Sequence, residues 1–463
     1  MIGFYLSAIL TVGAFVTAGI IIGRRAVSGE DFSLGGRKSS AAGVTGILLG
    51  ALVGGASTVG TVQMAYSYGM SAIWFTTGGG VGCLLLGIYF ARPMRDSGIT
   101  TIADYLENGY PEKGKAISLT ATVSSSIGTF ISVSAQFLSC IALLRGIFPL
   151  PAPVASLLSA VFIIGFIASG GLKSFSKLGA AKIVLLYGAL IVCAAAAVRG
   201  GGTFNAVFST LPAQPWFNPF GRGLAIDFGA LISMVTGIFT TQIYIQALAA
   251  AKDAKTARHG AFASAILMPP MGFLGTWIGL SVRARGVEMA PNNVLSWFIM
   301  DSFPPLLAGV IWAGILITTI GCAAGLLLGV STNIYKNLLP ASIRGNTEAQ
   351  ATLAQRVVIL ALVMTATIFG AFGANTLILE LSYLSMGLRG AGTFLPFLLA
   401  VLRPGWLDAK WALASSVCGL TGAVLWAFAG MPGDPLFAGL AVSALCVALG
   451  TTKRKRDNFL DLP

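Results

Sequence analysis

The stretch Gly50-Ala51-Leu52-Val53-Gly54-Gly55-Ala56-Ser57-Thr58-Val59-Gly60 decides how this chain is read. It lies inside an apolar run, 41–66, that is long enough to cross a bilayer, which takes about 20 residues. Gly54-Gly55 falls about 13 residues into the run, close to the midplane at about 1.5 Å per helical residue. Glycine tolerates irregular backbone, so the pair marks a point where a helix can unwind. Membrane carriers hold solutes and ions at such points. Small residues at this spacing also permit tight helix packing, and the sequence leaves both readings open.

The chain around this run has 463 residues, 56% of them hydrophobic and 10% charged. A soluble domain carries about 25% charged residues, about 115 for this length; here there are 29 basic and 16 acidic ones. That excludes a soluble globular enzyme, a disordered chain and a coiled coil. The apolar runs are continuous rather than alternating, which excludes a membrane β-barrel. What remains is an all-α polytopic membrane protein, multi-pass in the plasma (inner) membrane. The net charge of +13 does not point to nucleic acid, because the cations sit in short clusters between apolar runs. Cys83, Cys140, Cys193, Cys322, Cys418 and Cys446 all fall in apolar runs without a CxxC pair and read as small core residues. The single histidine, His259, abuts a basic loop, so no zinc or haem is expected.

Thirteen apolar runs, numbered here as spans 1 to 13, cover 2–23, 41–66, 71–91, 117–144, 151–169, 178–198, 223–250, 260–282, 305–334, 357–374, 376–401, 411–430 and 435–450. No cation precedes the first, and Arg24-Arg25 follow it, the reverse of a secretory signal. It reads as a retained helix with its N-terminus outside, which puts the C-terminus inside. Of the 29 cations, 22 then fall on inner loops. Five fall outside (Arg145, Arg199, Arg222, Arg283 and Arg285), and Lys182 and Arg389 lie within spans. This asymmetry follows the positive-inside rule. The tail Lys453-Arg454-Lys455-Arg456 reads as a topology determinant or as a contact for anionic lipid. Segment 199–222 reads as an outer loop, 286–304 as a short amphipathic outer helix, and 335–356 as the longest polar inner loop.

Span 7 carries Thr236, Gly237, Thr240, Thr241, Gln242, Tyr244 and Gln246, hydroxyls and amides that should face protein or water. Met268-Pro269-Pro270-Met271 predicts a kink in span 8. Span 4 offers Ser124-Ser125-Ser126, Ser132, Ser134 and Gln136, and span 9 offers Thr318-Thr319-Ile320-Gly321-Cys322.

Five motifs, in order, resemble the sodium:solute symporter family. They are Gly35-Gly36-Arg37; Gly60 with Tyr66-Ser67-Tyr68-Gly69; Thr101-Ile102-Ala103-Asp104-Tyr105-Leu106-Glu107 with Tyr110-Pro111; the run from Gln246 through Lys252-Asp253 to Arg258; and Asn333-Ile334-Tyr335-Lys336. The resemblance implies a leucine-transporter-like fold, with spans 2 and 7 as the broken helices of two inverted five-helix repeats. It divides the chain into a peripheral first helix and inner loop (1–40), a first repeat (41–198), an outer loop (199–222) and a second repeat (223–402). Spans 12 and 13 with the basic tail (403–463) complete it. It also implies alternating access by a secondary transporter, by default driven by sodium.

The resemblance further implies a sodium site made by the Gly50 and Val53 carbonyls with span-9 oxygens near Thr318. A hydroxyl pair is expected three and four residues on, where this chain has Gly321-Cys322. Sodium is a hard cation that wants oxygen. An aspartate and a glutamine typical of span 6 are replaced by Gly179 and Lys182. Lys182 either snorkels to the inner surface or projects into the degenerate sodium site and replaces the ion. A lysine, unlike an arginine, can also give up its proton in such a place and carry proton coupling. Arg389 is either a structural cap on carbonyls or a bidentate holder of a carboxylate. Two cations within spans and no central acid favour an anionic solute.

The expected function is secondary transport of a small, carboxylate-bearing organic solute, sodium-independent or proton-linked. The solute would lie among Gly54, Gly55, Ser57, Thr58, Ser132, Gln136, Thr241, Gln242 and Arg389, with Tyr244 as gate. No cofactor is expected beyond Na+ or H+ as coupling ion. The partners are the solute and the bilayer, with no nucleic acid and no obligatory protein partner. An ordinary sodium symporter is the alternative, with Ser331-Thr332 and Thr318-Thr319 supplying oxygens. A transporter-like sensor would be expected to carry a signalling domain, and none precedes Pro463. The spans hold no cluster of His, Asp and Glu and no nucleophile–base pair, which excludes a membrane enzyme.

Overall fold

The computed structural model describes residues 2–23, 37–167, 171–199, 203–344, 347–373 and 376–451. Gly35, Gly36, Arg24-Arg25 and the basic tail at 453–456 lie outside the described residues. The described residues are mostly helical, with no strand among them beyond isolated bridges. The helices are α1 (Ile2–Gly23), α2 (Ala41–Leu52), α3 (Thr61–Tyr68), α4 (Trp74–Leu85), α5 (Ile102–Gly109), α6 (Gly114–Arg145), α7 (Ala152–Ile167) and α8 (Gly171–Arg199). They continue with α9 (Leu224–Phe239), α10 (Gln242–Ala249), α11 (Ala254–Ala284), α12 (Val294–Ser302), α13 (Pro305–Asn337), α14 (Glu348–Phe372), α15 (Ile378–Leu402), α16 (Ala409–Phe428) and α17 (Pro435–Gly450). Among the described residues eight helical segments are long and apolar enough to cross a membrane, or nine with the bent pair α9–α10. Shorter apolar helices fill the remaining predicted runs.

Spans 2 and 7 are each two helices. After Leu52 the backbone turns extended at Val53 (φ −97°, ψ 111°) and α2 ends. The chain restarts through a widened turn in which Gly60 N–H donates to Gly55 O, five residues back (2.9 Å). Between α9 and α10, Thr241 is extended (φ −96°, ψ 118°) and the axis bends by 47°. Around this centre α2 packs on α8, α10, α11 and α13, while α9 packs on α4 and α15. Peripheral α16 and α17 pair with each other and lean on α15. Apolar side chains such as Phe372 and Phe428 (each 88% exposed) face outward, as a bilayer-solvated surface requires.

Two sequence expectations are corrected. Segment 199–222 is not plain loop: it holds helices Phe204–Thr210 and Ala213–Trp216, the first capped by Thr203. The inner loop 335–356 is shorter than predicted, because Thr347 and Gln350 form a capping box that starts α14 at Glu348. Span 8 is the continuous helix α11, with Pro269 and Pro270 inside it at the place of the expected kink.

The motif residues have structural reasons. Thr101 and Asp104 form the capping box of α5. Tyr110 Oη donates to Pro396 O (2.8 Å) and Tyr66 Oη to Val287 O (2.6 Å), one tie near each end of the bundle. Asp253 caps α11 by accepting from Thr256 N (2.7 Å), and that N–H holds its carboxyl below the usual carboxylate range. This cap is therefore present at neutral pH and lost as pH falls through the lowered value.

The charge asymmetry of the sequence predicts that the 199–222 segment lies outside. A cysteine replacing exposed Ser209 is expected to react with a membrane-impermeant maleimide on intact cells, and one replacing exposed Lys255 only after permeabilisation. The opposite labelling pattern reverses the orientation.

Candidate functional site

A helix that stops in the middle of a bilayer leaves N–H and C=O groups that water cannot reach. One face of α6 supplies the partners at both stops. Gln136 Oε1 accepts from Gly55 N (2.8 Å) at the span-2 break. Ser125 Oγ donates to Thr240 O (3.2 Å) at the span-7 break. Gly54 N is met locally by Ser57 Oγ (3.0 Å), and Thr58 Oγ1 donates to Gly54 O (2.8 Å). A Cβ on Gly55 would overlap Ser139 Cβ, and one on Gly54 would overlap Cys322 Cβ. The glycine pair is there because α6 and α13 press against the break.

The second group surrounds Arg389 of α15, which is fully buried. Its Nη1 donates to Thr241 Oγ1 (2.5 Å), its Nη2 to Ser132 Oγ and Ser385 Oγ (2.7 Å each), and its Nε to Ser385 O (3.1 Å). All partners are uncharged, and no carboxylate pairs with it among the described residues. Thr241 sits at the span-7 break and donates onward to Gly237 O (2.5 Å). Arg389 thus bridges α15, α6 and the α9–α10 junction.

The third group centres on Lys182 of α8, only 1% exposed. Its Nζ donates to the Gly50 carbonyl of α2 and to Thr318 O of α13 (3.1 Å). The ammonium therefore sits on the broken helix and does not snorkel to the inner surface. Gly321 lies beside it; a Cβ there would come 3.1 Å from Nζ. Cys322 Sγ donates to Ala51 O (2.9 Å). Thr318 and Thr319 hydroxyls both donate to Ile315 O (2.7 and 2.9 Å). Val53 caps α2, its N–H on Leu49 O (2.7 Å). Gly179, at the family's aspartate position, presses on α2 so closely that a Cβ would overlap Gly46 O.

Of the residues singled out from sequence, Gly54, Gly55, Ser57, Thr58 and Gln136 come together. So do Ser132, Thr241 and Arg389, and so do Gly50, Lys182, Thr318, Gly321 and Cys322. Gln242 goes elsewhere: its amide accepts from Ile102 N (3.1 Å) and donates to Thr100 O (2.8 Å), locking α10 to the start of α5. Tyr244 is buried in α10. Ser139 and Ser385 were missed, and Ser125, noted in span 4, was not assigned to the site. Positions 125, 132, 136 and 139 recur at helical spacing on one face of α6, and that period was the available signal.

Residues 32–419 match the sodium:solute symporter family. The chain is similar to an uncharacterized symporter, YwcA, of Bacillus subtilis (strain 168), with 23% identity over 447 residues, 89% of this chain and 85% of that protein. It is 22% identical over 258 residues to high-affinity choline transporter 1 of Caenorhabditis elegans, covering 55% of this chain and 43% of that one. Among solved structures, a substrate-bound, outward-open Na+-coupled sialic acid symporter superposes with a TM-score of 0.82 at 17% identity. The superposition covers 97% of this chain and 96% of that one. Mhp1, a nucleobase-cation-symport-1 family transporter in a closed conformation, gives 0.52 at 14% identity, with 90% and 94% covered. The fold is therefore leucine-transporter-like.

The contact that holds the span-2 break is testable. Gly55→Ala is expected to lower stability by about 1–3 kcal/mol through overpacking, measured by thermal melting in detergent. Adding Ser139→Gly is expected to restore part of the loss. A Gly55→Ala protein as stable as wild type would show that the α6 contact does not constrain the break.

Proposed function

The chain belongs to the sodium:solute symporter family, and from that premise we propose that it carries a small carboxylate-bearing solute by alternating access, with the Lys182 ammonium standing in for the sodium ion. One observation carries this reading: Lys182 Nζ on the Gly50 and Thr318 carbonyls. Those are backbone oxygens of the two helices that the resemblance assigns to the sodium site. An ammonium brings the same single positive charge to them, and its N–H groups suit carbonyl acceptors. The missing hydroxyl at Gly321 gives the room that the lysine needs. The thiol of Cys322 is turned to Ala51 O, and a thiol is a poor ligand for a hard cation.

The relatives' names give sialic acid for one transporter and choline for another, so the family leaves the solute class open. The charge at this chain's own centre supports an anion. Arg389 is buried among three hydroxyls and one carbonyl, and a buried guanidinium without counter-charge is costly. A solute carboxylate replacing the Ser132 and Thr241 hydroxyls would take two parallel N–H groups from it. It would meet the guanidinium beside the span-7 break, where Thr241 joins α9 to α10. Binding would then tie α15 and α6 to the helix that must rock. Gln242 locks α10 to the start of α5, and that contact would have to release if α10 moves during the cycle.

The ordinary sodium symporter is the competing reading. Its oxygens from Ser331-Thr332 lie about 20 Å further along α13 than Thr318 at 1.5 Å per residue, and both hydroxyls donate to Leu328 O (3.0 and 2.9 Å). The Lys182–Thr318 bond supports the register in which that pair is remote.

Two measurements test the reading. Proteoliposomes should accumulate one or more labelled carboxylates or amino acids equally with and without a sodium gradient. Lys182→Ala should reduce that uptake by at least about tenfold, the loss expected of one charge-assisted hydrogen-bonded contact. Uptake that requires sodium and survives Lys182→Ala returns the protein to sodium coupling. Arg389→Lys keeps the charge and loses the planar fork. It should raise KM for a carboxylate by about tenfold; an unchanged KM removes Arg389 from the solute site.

A further inference from the structure

We propose a second binding site, for a phospholipid with a singly charged phosphodiester headgroup, in the cavity where α8, α11, α12 and α13 meet at one end of the bundle. The cavity has a volume of about 730 Å³. Arg199 from the end of α8, Arg285 just past α11, and Asp301 and Ser302 from the end of α12 form its polar part. Val192 and Leu307 form an apolar wall. None of these residues belongs to the broken helices, so the site is separate from the solute path and does not rest on the transport reading.

The polar part is built to receive an anion. Arg285 Nη1 pairs with Asp301 Oδ2 (3.2 Å), and its guanidinium lies over the Phe298 ring, 5.6 Å from the centroid. Those contacts fix the side chain, yet Nε and Nη2 of Arg285 and Oγ of Ser302 are buried without a hydrogen-bond partner. Buried donors in native proteins are normally satisfied. Here the unsatisfied ones border one cavity. Two guanidinium groups against one carboxylate leave one positive charge, the complement of a phosphodiester monoanion.

The apolar wall identifies the anion's source. Val192 (39% exposed) and Leu307 (41%) continue onto Ile191 (52%) and Leu306 (59%), which face the bilayer. A soluble anion would satisfy the donors and leave that wall unused. An amphiphile satisfies both, with its headgroup in the cavity and an acyl chain along the wall. The position of the arginines points the same way. The charge pattern leaves only five cations on the outer side, and two of them line this cavity. Arginines on that side run against the orientation bias and are explained by a bound anion.

The test is native mass spectrometry of the full chain in detergent with three probes. They are phosphatidylglycerol, phosphatidylcholine as the lipid without net charge, and glycerophosphoglycerol, the anionic headgroup without acyl chains. The expected result is one phosphatidylglycerol retained per chain under activation that strips phosphatidylcholine, with glycerophosphoglycerol bound at least about tenfold more weakly. Arg285→Ala should weaken phosphatidylglycerol retention by at least about tenfold. Ala196→Trp keeps both arginines but fills the cavity, where Ala196 is a lining residue, and should weaken retention likewise. Equal retention by wild type and both variants overturns the site. Glycerophosphoglycerol binding as tightly as the lipid overturns the lipid assignment and makes the cavity a soluble-anion site.

Discussion

Two helices of this protein stop in the middle of an apolar bundle, and the peptide groups left at those stops must find partners inside the protein. The rest of the centre follows from that constraint. One face of α6 carries the side chains that meet them, Gln136 at Gly55 N and Ser125 at Thr240 O. Because one rigid helix serves both breaks, their relative position is fixed by the spacing of residues along it. The same face also offers Ser132 to Arg389, so the buried guanidinium is held by the element that holds the breaks.

The two interior cations divide this centre between them. Lys182 binds the Gly50 carbonyl at the end of α2 and the Thr318 carbonyl of α13, and Arg389 binds Thr241 at the α9–α10 junction with Ser132 of α6 and Ser385 of α15. Arg389 has no acidic partner among the described residues. A charge without a counter-charge in a bilayer is retained only where something offsets its cost. For Lys182 the offset is backbone dipole. For Arg389 it is three neutral hydroxyls with a single carbonyl at Nε, a weaker match for a full charge. This difference is why the proposed solute site is drawn around the arginine and the proposed ion substitute is the lysine.

Much of this was legible in the sequence, for physical reasons. Gly54-Gly55 and the Thr240-Thr241 pair stood out because a bilayer span punishes irregular backbone and polar side chains, so their presence announces the breaks. Lys182 and Arg389 stood out for the same reason. What the sequence hid was partnership between distant elements. Ser139 reads as one more small polar residue until Gly55 is seen against its Cβ. Gln242 looked like a solute ligand because it adjoins the break, but its amide is turned to the start of α5, a contact spanning 142 residues. The capping box at Thr347 was visible in sequence as Thr-x-x-Gln, yet the polar first turn of α14 hid it inside an apparent loop.

The covalent attachment of the Lys182 ammonium has an electrical consequence. A dissociable ion crosses with its solute and adds its charge to what each cycle moves. A tethered one returns with the empty carrier and adds nothing. In the proposed cycle the current would therefore be that of the solute alone. For a monoanion, a membrane potential negative inside opposes inward passage by about 2.3 kcal/mol per 100 mV. Such a carrier runs outward by default, or inward only on a steep solute gradient or with a proton whose charge cancels the carboxylate's.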